Sequence, residues 1–167
     1  MLIAVLFLGL TLGVTARPET PRGVVGAKKF ATAIDCNGVV AFSSAGARPQ
    51  GSGKGPAKLG YATELTDKGV GWSRDSGEFT CFCPGLYQFA FSGSGDRNTK
   101  LALKKKASSS DTWSTIVSTG PGGGSNIALL DMDIGDQAAI WLEDGELHQE
   151  KDAPSCAFNG FRIAKKP

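Results

Sequence analysis

Gly77-Glu78-Phe79-Thr80-Cys81-Phe82-Cys83-Pro84-Gly85-Leu86-Tyr87-Gln88-Phe89-Ala90-Phe91 is the stretch that decides the fold. After Pro84-Gly85 the chain alternates, so that Tyr87, Phe89 and Phe91 share one face. A repeat of two residues marks a β-strand with one buried side. Each ring brings roughly 150–250 Å² of surface to bury. Pro84 lacks an N–H and Gly85 lacks a side chain, so the pair suits a bend or bulge where the strand begins.

The same period recurs outward from this stretch. Leu130-Asp131-Met132-Asp133-Ile134 alternates strictly between apolar and acidic residues. Leu101 and Leu103 alternate with Lys100, Ala102 and Lys104. Ala138, Ile140 and Leu142 oppose Ala139, Trp141 and Glu143, and Phe161 and Ile163 flank Arg162. Turn-forming clusters separate these runs at 93–96, 120–124, 135–136 and 144–145. No long stretch repeats every 3.6 residues, the period of a helix. Short strands punctuated by Gly and Asp predict an all-β fold, a two-sheet antiparallel sandwich or jelly roll. Residues 45–58 offer little apolar surface to bury and are expected to form a long, mobile surface loop.

Composition narrows the function classes. The chain has 167 residues, with 18 Lys+Arg against 16 Asp+Glu and a formal net charge of +2. So small an imbalance argues against a strongly basic nucleic-acid binder. Its single histidine, His148, argues against a multi-histidine metal site or a Ser-His-Asp hydrolase, and its setting among Glu146, Gln149 and Glu150 suits a surface loop. No nucleophile–base pair or paired catalytic carboxylates stand out, so an enzyme is not expected.

Residues 2–14 are uncharged and apolar, and Val14-Thr15-Ala16 offers small residues at the positions signal peptidase reads. The expected organisation is a signal peptide over 1–16, a flexible leader over 17–35 and a globular domain over 36–167. Within the leader, Val24 and Val25 are also compatible with a short first strand. The apolar run is short against the roughly 20 residues a spanning helix needs, and no second run of that length follows, so secretion is expected, with no membrane span.

Four segments together resemble one family. Val39-Val40-Ala41-Phe42-Ser43-Ser44 resembles the opening strand of the C1q domain. Gly77–Phe89 resembles that family's Gly-x-Phe-Thr segment leading into Pro-Gly-x-Tyr-x-Phe. Asn126-Ile127-Ala128-Leu129-Leu130 through Gly135-Asp136-Gln137 resembles its apolar strand ending in Gly-Asp. Cys156-Ala157-Phe158-Asn159-Gly160-Phe161 resembles its final Phe-x-Gly-Phe strand. The sequence departs from the family at Ala138-Ala139 and at Asp67-Lys68-Gly69. The resemblance implies a C1q/TNF-like jelly roll and a homotrimer. Phe42, Phe79, Tyr87, Phe89, Phe91, Phe158 and Phe161 would then serve the core or the trimer contact. They also outnumber what one small inner face needs, so some are expected to meet a neighbour. The implied function is lectin-like recognition of microbial or other anionic glycan surfaces in innate immunity. A structural or adhesive matrix component and a ligand for a cell-surface receptor are the alternatives.

The remaining candidates follow from residue chemistry. Cys36, Cys81, Cys83 and Cys156 are an even set in a chain expected to be exported, so two disulfides are predicted. Cys81 and Cys83 are awkward partners for each other, and each is expected to bond to Cys36 or Cys156, in an order the sequence leaves open. Lys104, Lys105 and Lys106 beside Ser108–Ser110 are candidates for an anionic ligand, although a solvated strand end, where lysines discourage edge pairing, accounts for them more simply. Asp133 and Asp136, with Asp131 nearby, offer hard oxygen ligands in the region where the resemblance implies calcium, although the alternation also explains Asp131 and Asp133 as outward residues. Loops 45–58, 93–98 and 120–125 are candidate contact loops, and Trp72, Trp113 and Trp141 fit either core or surface.

Overall fold

The computed structural model describes residues 36–51, 56–148, 154 and 156–166. The expected signal peptide and leader, with the alternative strand at Val24–Val25, lie outside the described residues. Ten strands are formed: β1 (Ala41–Pro49), β2 (Ala57–Lys68), β3 (Trp72–Ser73), β4 (Glu78–Thr80), β5 (Gly85–Ser94), β6 (Lys100–Lys106), β7 (Ser114–Ser118), β8 (Gly123–Met132), β9 (Gln137–Asp144) and β10 (Ala157–Lys165). All their pairings are antiparallel, and no helix occurs among the described residues.

The strands build a two-sheet jelly roll. The first sheet runs β2-β1-β10-β5-β8, and the second runs β3-β4-β9-β6-β7. Strand β2 stitches the two together. Ala57 and Lys58 pair with Leu142 and Trp141 of β9 before the rest of β2 pairs with β1. Residues 45–58 are therefore not a long loop. Residues 45–49 complete β1, and 57–58 open β2. Ala45, Ala47 and Ala57 are buried. Small side chains fill this corner where two backbones pass closely, so the absence of large apolar residues was no sign of exposure. The other two candidate loops are also shorter than expected, because β5 runs on to Ser94 and β8 starts at Gly123.

The core is a layer of rings between the sheets. Tyr87, Phe89 and Phe91 are buried, as the period-two pattern predicts, and Phe158 of β10 is buried with them. Phe42 stacks on Trp72 with 4.1 Å between centroids and 8° between planes. It also meets Phe158 edge-on at 5.0 Å and Phe79 at 5.5 Å. Buried polar groups here are paired: Trp72 Nε1 donates to Ser44 Oγ at 2.9 Å, and Tyr87 Oη donates to the Cys83 carbonyl at 2.6 Å. Phe161, grouped with these aromatics from the sequence, points away from the layer and is 43% exposed.

Two glycines make this packing possible. A Cβ at Gly160 would lie 2.5 Å from Phe42 Cε1 and 2.7 Å from Phe89 Cδ1. Gly77, at φ +64° in the β3–β4 turn, would drive a Cβ to 1.6 Å from the Leu59 carbonyl oxygen.

One disulfide forms, Cys36–Cys83, with 5.4 Å between the Cα atoms. The second predicted bridge does not. Cys81 and Cys156 are buried thiols at opposite ends of the sandwich. Cys81 bonds the side chain of Tyr87. Cys156 precedes Ala157, which pairs with Ser92. Five strand residues from Tyr87 to Ser92 span about 16–17 Å, well beyond the roughly 7 Å limit between bridged Cα atoms. Burial is the largest influence on the Cys81 thiol, and it raises its pKa.

Gly160→Ala is expected to lower unfolding free energy by about 1–3 kcal/mol through overpacking against Phe42 and Phe89. Urea denaturation reads this directly, and an unmoved midpoint would contradict the packing described. Peptide mapping without reduction should recover Cys36 joined to Cys83, with Cys81 and Cys156 alkylated only once the chain is unfolded.

Candidate functional site

The three lysines of β6 do not form one cationic patch, because alternation sends them apart. Lys105 reaches the end of the sandwich, where its Nζ lies 2.7 Å from Asp136 Oδ2 and donates to the Asp131 carbonyl at 2.7 Å. Lys104 and Lys106 project from the outer face of the second sheet. Lys104 Nζ lies 2.8 Å from Glu143 Oε1 and 4.8 Å from the centre of the Trp141 ring. Lys106 Nζ lies 5.5 Å from the centre of the Trp113 ring. Of the three ammonium groups, only that of Lys106 has no carboxylate partner among the described residues.

The acidic candidates are held by donors. Asp136 is buried in the β8–β9 turn. Its Oδ1 accepts from Ser108 N at 2.9 Å, and its Oδ2 accepts from Asp133 N at 3.0 Å as well as facing Lys105. Asp133 pairs with Lys166. No group of three or more His, Cys, Asp or Glu side chains able to hold a metal occurs among the described residues. Calcium needs about 6–8 oxygen acceptors. Here N–H groups and an ammonium converge on Asp136, so this donor set does not fit calcium, and the expectation at Asp133 and Asp136 is not carried further. Asp136 instead ties the turn to the residues that follow β6.

Trp72 belongs to the core. Trp113 and Trp141 are half-buried on the outer face of the second sheet, with 6.0 Å between ring centroids and 60° between planes. The sequence left these two undecided, yet the signal was present: Lys104, Lys106, Trp141 and Glu143 all fall on the outward phase of their strands. His148 is exposed near the opposite end, and its N–H donates to the Ser94 carbonyl at 3.0 Å.

The outer face of the first sheet is apolar and uncovered. One row crosses it through Ala41, Phe161, Gln88 and Leu129. The next crosses through Ser43, Asn159, Ala90 and Ile127. Leu129 is 57% exposed and Ile127 62%, and Ile163 and Val39 extend the patch. Strand β8 was read as apolar. What the linear reading missed is that both of its faces are, because Ala128 and Leu130 pack on the core while Ile127 and Leu129 face out.

The Asp136 tie carries a pH dependence. Burial pushes its pKa up, but the hydrogen bonds and charge from Lys105 and the amides of Asp133 and Ser108 outweigh it, and the net shift is downward. A carboxyl whose folded pKa lies below its unfolded value stabilises the fold at neutral pH. That stability fades as pH falls through the unfolded pKa and is gone below the folded one. Asp136→Asn should cost roughly 1–3 kcal/mol at neutral pH by disrupting buried hydrogen bonds. It should also flatten the loss of stability below about pH 4. Urea midpoints across that range check both, and parallel pH curves for the two proteins would refute the tie.

The C1q domain, as a family, matches residues 41–163 of this chain. Among solved structures, the globular domain of zebrafish complement 1qA protein is similar at TM-score 0.58 and 23% identity, over 76% of this chain and 99% of that one. Murine APRIL at pH 8.0 is similar at TM-score 0.59 and 7% identity, over 75% of this chain and all of that one. Eiger TNF from S. frugiperda is similar at TM-score 0.56 and 12% identity, over 77% of this chain and 95% of that one. Identities this low speak for the shared fold alone. The family match runs from the first strand into the last, over the whole of the ring-filled sandwich, and the chain therefore belongs to the C1q domain family.

Proposed function

We propose that this chain is a secreted, non-enzymatic recognition protein that assembles as a homotrimer and binds microbial or other anionic glycan surfaces. The observation that carries the assembly is the bare outer face of the first sheet. Ile127 and Leu129 on β8 and Phe161 on β10 flank β5 on this face, and each is about half exposed. A contiguous exposed apolar patch of this kind marks an interaction surface. A second copy is its natural cover, since Ile116, 40% exposed on the edge strand β7, offers a further apolar contact that is not on the same face. An edge packing on a face is a heterologous contact, and such contacts close into rings when the rotation permits.

Export is supported by the apolar run at residues 2–14 and by the Cys36–Cys83 disulfide, which belongs in an oxidising compartment. Among the described residues, no helix is long and apolar enough to cross a membrane. Trimerisation multiplies any weak ligand site by three, and on a repetitive surface the combined avidity far exceeds that of one site. The loops opposite the entry point of the chain, at 95–99 and 119–122, and the outer face of the second sheet remain available to a target.

Sedimentation of the intact protein at micromolar concentration should show three chains per particle. Leu129→Asp with Phe161→Asp should give a monomer that keeps its β-sheet circular dichroism. A wild-type monomer, or a double variant that still sediments as a trimer, would overturn the assembly. Binding of the trimer to intact bacteria should be lost together with assembly.

A further inference from the structure

The outer face of the second sheet carries a cluster that neither the core nor the proposed assembly uses. Its floor is Ala102 and Ala139, which alternate with core residues and so point outward, yet both are fully buried. Ala102 lies beside Trp141 in the β6–β9 ladder, and Ala139 lies beside Lys104. Small side chains at these two positions leave room for larger groups to lie over the sheet. The indoles of Trp113 and Trp141 meet there at 60°, with Lys104 and Lys106 placed against their rings.

Polar groups of the cluster are left unsatisfied, among them Glu143 Oε1, which lies near Lys104 Nζ but accepts no hydrogen bond among the described residues. Lys104 is answered by Glu143, whereas among the described residues Lys106 meets the Trp113 ring and no carboxylate. The indole N–H of Trp141 is buried without an acceptor among the described residues. A buried donor without a partner costs free energy that a ligand oxygen can return. Glu143 also repels an anion approaching Lys104, which directs negative charge to Lys106.

We propose that Trp113, Trp141 and Lys106 form a subsite for an acidic saccharide. The inference rests on the glycan-recognition reading above and names the ligand class and the place. The apolar face of a sugar ring packs against the indoles, and its carboxylate or sulfate pairs with Lys106. Its hydroxyls supply the acceptor that the Trp141 N–H lacks. Sites of this type combine aromatic surface with a few placed polar groups. The near-neutral charge of the chain, +2, leaves the choice of ligand to this local arrangement and not to long-range attraction.

The experiment is a tryptophan-fluorescence titration of the full trimer with three soluble probes: an oligogalacturonate, a heparin-derived oligosaccharide and a dextran oligosaccharide. An acidic probe should bind and dextran should not; the stronger of the two acids tells whether carboxylate or sulfate is the partner. Lys106→Gln should weaken that binding about tenfold, as loss of one charge-assisted contact does. Lys100→Gln removes the same charge from the other end of β6 and should leave binding unchanged. Trp113→Phe should retain more affinity than Trp113→Ala. Equal losses in the two lysine variants, equal binding of dextran, or no response to either acid would each overturn the subsite. If trimers bind intact bacteria and Lys106→Gln does not alter that binding, the subsite fails while the recognition reading stands. If trimers bind no bacterial surface and no acid, both fail.

Discussion

The two sheets are held together by one crowded layer of rings. Phe42 sits at its centre, stacked on Trp72, edge-on to Phe158 and in contact with Phe79 and Phe89. These side chains come from β1, β3, β4, β5 and β10, so the layer exists only if strands distant in sequence arrive in one register. The vacancy at Gly160 is part of the same constraint. The ring edges of Phe42 and Phe89 occupy the space where any other residue would place a Cβ. Interiors packed this tightly resist gain and loss of volume alike, which fixes the sheets at one spacing and leaves their outer faces free to specialise.

The specialisation is asymmetric. The outer face of the first sheet is apolar at Ile127, Leu129, Phe161 and Ile163, whereas the outer face of the second carries the Lys58–Glu78 and Lys104–Glu143 pairs and two half-buried indoles. A face of the first kind is stable in water only when covered. A face of the second kind is stable uncovered, because all but one of the charges named on it are paired and its alanine floor is already sealed. The proposed division between self-association and ligand contact rests on which residues occupy the outward phase of each strand. The end of the sandwich where the described chain enters has a third role. There the Cys36–Cys83 bridge and the Arg162 side chain, which donates to the carbonyls of Cys36 and Gly38, hold the entering residues against the last strand.

Much of this was legible in the residues as written. The alternation in Leu86–Phe91 and in Ala138–Leu142 set both strand type and inward face, because side chains on a pleated ribbon point to opposite sides in turn. The four motif segments carry the resemblance to the C1q domain in their residues and order alone. Readings that relied on composition alone did less well. Residues 45–58 looked like an exposed loop because they lack large apolar groups, yet small residues were what the β1–β2 corner required. Three consecutive lysines offered either a charge patch or a solvated strand end, and alternation points neighbours in opposite directions and pairs two of the three with carboxylates. An even cysteine count suggested two bridges, yet Cys81 and Cys156 lie at opposite ends of one strand's length.

The sequence by itself determined the all-β architecture, the inward face that carries Tyr87, Phe89 and Phe91, and the family, because each depends on local period or on short motifs read in order. Only the tertiary structure decided which cysteines meet, that Asp136 serves a turn where calcium had been expected, and that Trp113 lies beside Trp141 over an alanine floor. Those outcomes depend on distances between residues far apart in the chain. Such distances follow from strand register and sheet crossover, which period and composition leave unspecified.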